Sequence, residues 1–222
     1  MMSPTTNNHG SSNDDKKSIV TFPSSMNPNE IEEVLFTHDE LANRVAELGL
    51  EISNMYANLK SQNNNTNNTK PLIVICTLKG AVPFFADLVR SITYDHEWEF
   101  MSFSSYTTNV TSSSGAVRMV LDLKVDIANR DILIIEDILD TGHTLRYMMN
   151  MLAARSPNSI RTAVLLHKPD RTLPELQLVP DFVGFIIPNK FVVGYGLDYN
   201  QKYRSLSWIG VLAPWVYSST DE

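Results

Sequence analysis

Residues 131–149 read DILIIEDILDTGHTLRYMM. The stretch starts with an apolar run, continues with the carboxylates Glu136, Asp137 and Asp140, and enters a helical pattern after the tetrapeptide TGHT. An apolar run that leads through a glycine-containing loop into a helix is typical of a strand–loop–helix unit in a parallel sheet. The stretch therefore predicts an α/β fold in which three carboxylates lie where a strand ends.

The rest of the chain repeats this alternation. Strands are predicted over residues 71–78, 98–104, 116–121, 131–136, 161–167 and 181–188, and helices over residues 82–92 and 144–155. Apolar residues at spacings of three and four predict a long amphipathic helix from residue 38, namely Leu41, Val45, Leu48, Ile52, Met55 and Leu59. Together these elements predict a mainly parallel central sheet flanked by helices.

The chain has 222 residues, and its pattern indicates one domain over residues 19–222 after a polar, disordered tail over residues 1–18. An exposed Asn-rich loop is predicted over residues 61–70. The Ser- and Thr-rich segment over residues 104–116 is either an ordinary loose connection or a lid, since long loops in compact domains are commonly functional or disordered.

Composition narrows the class of protein. The formal net charge of −7 offers no basic face for a nucleic-acid backbone, so we expect a small phosphorylated partner and no nucleic acid. The single cysteine, Cys76, lies in an apolar run and indicates a buried thiol in a reducing compartment. Because no apolar run is long enough to span a bilayer, we expect a cytoplasmic protein without a membrane partner.

The tetrapeptide TGHT, residues 141–144, predicts an anion site. Gly142 lets the backbone curl so that successive amide groups point at one anion, with the positive end of the following helix behind them. A phosphate monoester fits such a loop. Simple capping of the helix by Thr141 or Thr144 would explain one threonine but not the carboxylates that precede it.

The three carboxylates would repel a phosphate unless another part of the ligand separates them. Glu136 and Asp137 can accept from two neighbouring sugar hydroxyls, directly or through Mg²⁺. Asp140 is closer to the expected anomeric carbon, where it could accept a proton or stabilise positive charge. A phosphorylated ribose satisfies both halves of the motif, and an acidic solvated loop is the alternative.

These residues also carry a resemblance. The segment IIEDILDTGHTL resembles the phosphoribosyl pyrophosphate signature of the type I phosphoribosyltransferases. The segments LKGAVPFFADLVR, SSY, LLHKPDR and PDFVGFIIPNKFVVGYGLDYNQKYRSL resemble motifs of their hypoxanthine-guanine branch, in the same order, over about residues 72–212. The resemblance implies the family's α/β fold, with a flexible lid and a small hood subdomain formed by the N-terminal segment and about residues 168–212.

The implied activity is transfer of the phosphoribosyl group from phosphoribosyl pyrophosphate to hypoxanthine or guanine, which gives IMP or GMP and pyrophosphate and requires Mg²⁺. Asp140 matches the catalytic general base that faces the imidazole ring of the purine, and the Leu78–Lys79 peptide bond is implied to be cis. Donor and nucleotide contacts are implied for Lys79, Gly80, Glu136, Asp137, Asp140, Thr141, Gly142, His143, Thr144 and Arg204, and metal contacts for Glu136, Asp137 and Asp198.

Purine contacts are implied for Lys168, Lys190, Phe191, Val192 and Asp198. Lys168 would donate to the exocyclic oxygen of the base, which favours 6-oxopurines over adenine because an ammonium group has no acceptor for an amino group. Phe191 would stack on the purine, and the carbonyl of Val192 would read the 2-amino group of guanine. Ser105 and Tyr106 match the hinge end of the lid.

Some features leave other interpretations open. His143 stands where many relatives have lysine, so this phosphate loop lacks a permanent charge.

A non-catalytic regulator that senses a purine or the donor on the same fold would predict a basic surface and loss of Asp140 or the lid. A metal-dependent phosphatase with Asp137 as nucleophile would need a basic partner and further aspartates near other strand ends, which the sequence does not show. The resemblance implies a homodimer or homotetramer that acts on small molecules.

Overall fold

A computed structural model describes residues 21–24, 26–62, 70–106 and 116–218. The strands are β1 (Ile31–Phe36), β2 (Leu72–Leu78), β3 (His96–Tyr106), β4 (Ala116–Leu121), β5 (Asp131–Leu139), β6 (Ser159–His167), β7 (Phe182–Ile186), β8 (Val192–Val193) and β9 (Ile209–Leu212). The helices are α1 (His38–Gln62), α2 (Val82–Ser91), α3 (His143–Ala153) and the short α4 (Pro214–Tyr217). Single 3₁₀ turns occur at Pro28–Glu30 and Pro174–Leu176.

Six strands form the main sheet, in the order β4-β3-β2-β5-β6-β7. Five of them run parallel, which confirms the predicted architecture, and β4 pairs antiparallel with β3 at one edge. The sequence between β3 and β4 is shorter than the dozen or so residues that a parallel crossover requires. The chain therefore returns beside β3 in the opposite direction.

Alternate residues of β5 enter two different cores, because successive side chains of a strand point to opposite faces. Leu133 and Ile135 join the cluster that includes the buried faces of α1 and α2. Ile132 and Ile134 join the cluster that includes Leu145 and Met148 of α3. The apolar run that the sequence shows is thus a central strand covered on both faces.

Helix α1 begins as the sequence pattern predicts. The carboxylate of Glu40 accepts from the Thr37 backbone amide at 2.8 Å and from the Thr37 hydroxyl at 2.7 Å, which forms a capping box just before the first helical residue. The predicted apolar stripe is confirmed: Leu41, Val45, Leu48 and Ile52 are buried, and Met55 and Leu59 pack against the same core.

A second, three-stranded antiparallel sheet has the order β1-β9-β8. It joins an N-terminal strand to two short strands from the C-terminal part of the chain, with Val192 opposite Val211 and Val193 opposite Gly210. Sequence periodicity did not predict β1 and β9, because Ile31–Phe36 contains two adjacent glutamates and Ile209–Leu212 has only four positions, so neither shows a clear alternation. The division into a main domain and a hood stays a prediction.

The predicted end of β5 at residue 136 is wrong, and so is the loop over residues 137–143 that this end implied before the helix predicted from residue 144. The strand continues through Glu136 and Asp137 to Leu139, because β6 keeps pairing with it: Ile138 lies opposite Leu166 and Leu139 opposite His167. Only residues 140–142 separate β5 from α3. The carboxylates of Glu136 and Asp137 are therefore held by strand geometry rather than by a loop.

Three predicted segments lie partly or wholly outside the described residues: the tail over residues 1–18, residues 63–69 of the Asn-rich loop and residues 107–115 of the predicted lid. No helix among the described residues is long and apolar enough to cross a membrane.

Candidate active site

The candidate site lies beyond the carboxyl ends of β2 and β5, where ligands bind in open α/β sheets. It consists of two adjoining cavities of about 290 and 270 Å³. Asp137, Ile138 and Asp140 line both cavities. The first, which we call the loop cavity, is also lined by Thr77, Leu78, Phe103, Glu136, Leu139, Thr141, Gly142, Thr144 and Leu145. The second, the ring cavity, is also lined by Lys168, Phe191, Val192, Leu197 and Asp198.

Gly142 shapes the floor of the loop cavity. It is the N-cap of α3 with φ +91°, and a side-chain carbon there would lie 2.5 Å from Cδ1 of Leu178. This backbone conformation turns the chain directly into α3, so the first amide groups of the helix face the cavity end of the sheet. Thr141 and Thr144 line the cavity, whereas His143 is exposed at the first helical position.

Glu136 is a buried carboxylate on the α3 side of β5. The hydroxyl of Thr77 on the neighbouring strand β2 favours the ionised form of Glu136. Burial and the adjacent Asp137 raise the pKa of Glu136 well above its usual range, and the hydroxyl only partly offsets this. A buried carboxylate of this kind is poised to accept from sugar hydroxyls or to bind a cation.

Asp137 projects to the opposite face of β5 from Glu136. Burial raises the pKa of Asp137 to about 6, and the charge of Asp198 acts in the same direction. The amide of Ile138 donates to Oδ1 of Asp137 at 2.8 Å, and this bond and the guanidinium of Arg204 oppose the shift. The carboxylate is thus costly to ionise in the absence of a cation or donor group.

Three distant segments meet around Gly80. A side-chain carbon on Gly80 would collide with the carboxylate of Asp137, and one on Gly196 would lie 1.9 Å from the carbonyl oxygen of Gly80. The Leu78–Lys79 peptide bond is cis, as the resemblance implied, and the Lys79 side chain is exposed beside this contact. The loop after β2, the end of β5 and the turn around residue 196 therefore share one location.

Arg204 and Asp198 form an ion pair beside Asp137. Nη2 of Arg204 lies 2.7 Å from Oδ1 of Asp198, and Nη1 donates to the carbonyl of Gly196 at 2.8 Å. The Nε of Arg204 is buried without a hydrogen-bond partner among the described residues. The guanidinium of Arg204 and the carboxylate of Asp198 lie next to Asp137. The structure therefore brings together predicted donor and metal residues that are about 60 residues apart in the chain.

Lys168 lies in the ring cavity as a buried lysine, with only 6% of its surface exposed. Its Nζ is 3.5 Å from Oδ2 of Asp140, and the Nε of Arg171 lies 2.9 Å from Oδ1 of the same carboxylate. The backbone amide of Lys168 donates to the carbonyl of Leu139 at 3.0 Å, which fixes the segment after β6 against the end of β5. Asp140 thus lies between two cations.

The apolar part of the ring cavity's lining consists of Phe191, Val192, Leu197 and Ile138. Val192 is buried in β8. Lys190 lies next to Phe191 in sequence, but its Nζ pairs with Oε2 of Glu33 at 2.5 Å on the surface. The structure therefore brings Lys168, Phe191, Val192 and Asp198 together and directs the Lys190 side chain elsewhere.

Ser105 and Tyr106 form the end of β3, where their backbones pair with Val117 and Ala116 of β4. The structure thus places the predicted hinge end of the lid at the edge of the main sheet. The remainder of that segment, residues 107–115, is outside the described ranges.

The predicted ligands of Mg²⁺ are the carboxylates of Glu136, Asp137 and Asp198. Within the described ranges, no three His, Cys, Asp or Glu side chains converge closely enough to hold a metal ion by themselves. Asp137 and Asp198 are nevertheless close enough for the charge of one to raise the pKa of the other. Such a pair fits an ion that keeps several waters and takes its other ligands from a phosphorylated substrate, as Mg²⁺ commonly does.

The lining or contacting residues that sequence reasoning missed include Thr77, Phe103, Ile138 and Arg171. The first three belong to strands, where their polar or apolar character matches an ordinary sheet residue. Arg171 belongs to the segment LLHKPDR, which also contains Lys168. That shared motif was the one available signal for a role at the site.

Comparison with known proteins agrees with this geometry. The phosphoribosyl transferase domain family matches residues 50–200. A hypoxanthine-guanine phosphoribosyltransferase of Mycobacterium avium is 45% identical over 195 residues, which cover 88% of this chain and 92% of the relative. The enzyme of that name from Bacillus subtilis strain 168 is 45% identical over 194 residues, which cover 87% of this chain and all of the relative.

Solved structures agree as well. A hypoxanthine phosphoribosyltransferase from Trypanosoma cruzi, in a ternary complex with substrates, has a TM-score of 0.75 at 40% identity, covering 85% of this chain and 99% of its own. The enzyme from Staphylococcus aureus has a TM-score of 0.74 at 40% identity, covering 85% of this chain and 95% of its own. The chain therefore belongs to the phosphoribosyltransferase family, with the type I fold.

Proposed function

We propose that this protein is a purine-salvage enzyme that transfers the 5-phosphoribosyl group from phosphoribosyl pyrophosphate to hypoxanthine or guanine, giving IMP or GMP and pyrophosphate. The observation that carries the proposal is the position of Asp140, which lies between a cavity suited to a sugar phosphate and a cavity with a buried lysine and an aromatic wall. One nucleotide can occupy both cavities, with its glycosidic bond beside Asp140.

The loop cavity would bind the ribose 5-phosphate part. Thr141, Gly142, His143 and Thr144 would hold the phosphate through backbone amides and hydroxyls at the start of α3. Glu136 and Asp137 would accept from the ribose hydroxyls. Lys79, Gly80 and Arg204 would hold the pyrophosphate, since they meet beside Asp137.

The ring cavity would bind the base. Lys168 would donate to the exocyclic oxygen of a 6-oxopurine and has no acceptor for the amino group of adenine. Phe191 would stack on the ring, with Ile138 on the remaining apolar side, and the Val192 carbonyl would accept from the 2-amino group of guanine. Lys190 would contribute to base binding through its position next to Phe191 in the chain and not through its side chain, because that side chain pairs with Glu33.

Mg²⁺ would be held by Asp137 and Asp198, together with the neighbouring Glu136, and when bound it would neutralise charge that develops on the pyrophosphate. The reaction breaks the bond between the anomeric carbon and a pyrophosphate oxygen and forms a bond from that carbon to an imidazole nitrogen. Asp140 would accept the ring proton and stabilise positive charge on the ribose. Arg204 and Lys79 would stabilise the leaving group.

The segment that begins at Ser105 and Tyr106 is proposed to close over the site and to exclude water that could hydrolyse the donor. The regulator alternative would require a site without its general base. The retained Asp140, its buried partner Lys168 and the net charge of −7 argue against that alternative.

A homodimer or homotetramer in the cytoplasm remains part of the proposal. The cytoplasmic location is supported by Cys76, the single cysteine of the chain, which is buried in β2 as a free thiol whose pKa burial raises to about 12. Size-exclusion chromatography with light scattering measures the assembly directly.

The decisive experiment is a steady-state assay with Mg²⁺, phosphoribosyl pyrophosphate and each of hypoxanthine, guanine, xanthine and adenine. We expect consumption of hypoxanthine or guanine, release of pyrophosphate and no reaction with adenine. If the protein binds a purine nucleotide but consumes none of the four bases, the regulator alternative replaces this proposal.

A further inference from the structure

Phe191, the aromatic wall of the ring cavity, is itself covered by a second aromatic ring. Tyr217 of α4 stacks on it with ring centroids 5.0 Å apart and an interplanar angle of 22°. Tyr199 approaches the same ring edge-on, at 5.6 Å and 89°. Phe191 is therefore held by rings from two other parts of the chain.

Tyr217 covers a different part of Phe191 from the part that faces the ring cavity. Among the described residues that line this cavity, Phe191, Ile138 and Val192 are present and Tyr217 is not. An aromatic ring has two faces, and a stacked neighbour at this angle occupies one of them. Tyr199 is also absent from the described residues that line the cavity, so the part of Phe191 that faces the cavity is left for a ligand.

The backbone fixes Tyr217 relative to Phe191. The amide of Leu212 donates to the carbonyl of Phe191 at 2.8 Å, and the amide of Ala213 donates to the carbonyl of Glu30 at 2.8 Å. Helix α4 starts at the next residue, Pro214. The distance between the two rings is therefore set by a short segment that is anchored at both the small sheet and Phe191.

Without Tyr217 behind it, Phe191 would be held less firmly, because 39% of its surface is exposed and the contact with Tyr199 is T-shaped rather than stacked. Ordering a side chain on binding weakens affinity, and a side chain ordered in advance avoids that loss. Stacked aromatic pairs also contribute beyond their buried area. Tyr217 can thus influence base binding without touching the base.

We propose that Tyr217 is a positioning residue for the purine, which holds Phe191 so that its free face stacks on the base and completes a stack of three rings. This inference rests on the proposed function of Phe191. It assigns the last helix of the described chain a role in base affinity that is separate from donor binding.

The test compares Tyr217→Ala, Tyr217→Phe and Ser218→Ala. Tyr217→Phe keeps the ring and removes only the hydroxyl. Ser218→Ala removes the exposed 2.7 Å hydrogen bond from Ser218 Oγ to the carbonyl of Pro214 but leaves both rings and the backbone anchors at Leu212 and Ala213 in place. For each variant, KM for hypoxanthine, KM for phosphoribosyl pyrophosphate and kcat are measured with Mg²⁺.

We expect Tyr217→Ala to raise KM for hypoxanthine about 3- to 10-fold, the range of one stacked aromatic pair, with donor KM and kcat within about 2-fold of the wild type. Tyr217→Phe and Ser218→Ala should resemble the wild type. The proposal is overturned by an unchanged purine KM in Tyr217→Ala, by an equal rise in both KM values, or by an equal effect of either control variant.

Equilibrium titration with GMP and with ribose 5-phosphate separates this inference from the proposed function. Tyr217→Ala should weaken GMP binding about 3- to 10-fold and leave ribose 5-phosphate binding unchanged. If the wild type binds GMP but turns over no base, the proposed function fails while the role of Tyr217 is still measured. If the wild type binds no GMP, both fail.

Discussion

The ammonium nitrogen of Lys168 lies 3.5 Å from Oδ2 of Asp140, at the boundary between the two cavities of the site. In a 6-oxopurine, the exocyclic oxygen and the nearest imidazole nitrogen are also neighbours. A base that accepts from Lys168 at its oxygen therefore brings a ring N–H to Asp140. The ion pair of the free protein would be exchanged for two contacts to one ligand.

Lys168→Ala is expected to raise KM for hypoxanthine and guanine at least about 10-fold, because a charge-assisted hydrogen bond in a buried site is lost. KM for the donor should change little. Lys190→Ala is the matched control, since its side chain pairs with Glu33 on the surface. Steady-state kinetics with each substrate varied in turn measures both variants, and an equal loss in Lys190→Ala would contradict the assignment.

Asp140→Asn is expected to lower kcat about 10²- to 10⁴-fold, the usual contribution of a general acid or base. The amide keeps the size of the side chain, so nucleotide affinity measured by calorimetry should stay near the wild-type value. Asp170→Asn, an exposed change two residues after Lys168, serves as the control. Unchanged turnover in Asp140→Asn would exclude Asp140 as the base.

Asp137→Asn is expected to stabilise the ligand-free protein at pH 8. The pKa of Asp137 is about 6 in the folded chain against an ordinary 3.8, so between these values the folded state binds more protons than the unfolded state. The free energy of unfolding of the wild type therefore falls as pH rises through this window, and the loss is complete above pH 6. The asparagine variant lacks this loss.

Urea unfolding at pH 4, 6 and 8, without Mg²⁺ or nucleotide, measures the effect. The stability gain of Asp137→Asn should be small at pH 4 and reach on the order of 1 to 3 kcal/mol at pH 8. Asp126→Asn, a change of an exposed aspartate outside the site, provides the control. A variant that is less stable than the wild type at pH 8 would refute the cause given for this shift.

Gly196→Ala is expected to destabilise the protein by at least about 2 kcal/mol and to impair donor binding. The residue has φ +102°, and an added carbon would lie 1.9 Å from the backbone carbonyl of Gly80, which cannot rotate away. The loop with Lys79 would then move away from Asp198 and Arg204. Thermal unfolding and donor KM measure the two effects, with Ser205→Ala as the control in the same segment.

Much of the main sheet could be predicted from the sequence because its strands are buried on both faces. The short, continuous apolar runs of β2, β5 and β6 match neither the one-sided pattern of an amphipathic helix nor the alternation of a half-exposed strand. They therefore indicate buried strands of a parallel sheet without any information from distant residues. The ends of these strands could not be predicted from the sequence. β5 continues past Glu136 because β6 supplies partners as far as Leu139, and no local pattern reveals a partner strand.

The features of the candidate site also divide into those that a short segment of sequence predicts and those that depend on distant parts of the chain. The sequence by itself determined the turn before α3, for which anion binding is proposed, since Gly142 and its flanking threonines are close in the chain and act through local backbone geometry. It also determined, through motif resemblance, the residue types that a base and a donor require. The turn and these residue types can each be predicted from a short segment of the chain.

Only the tertiary structure decided which side chains share a cavity. It brought Asp198 and Arg204 to Asp137, buried Lys168 against Asp140, directed Lys190 to Glu33 and stacked Tyr217 on Phe191. These contacts join segments that are far apart in the chain, and they depend on how the small sheet packs against the end of the main one. Because burial and charge act through space rather than along the chain, the raised pKa of Asp137 exists only in the folded protein.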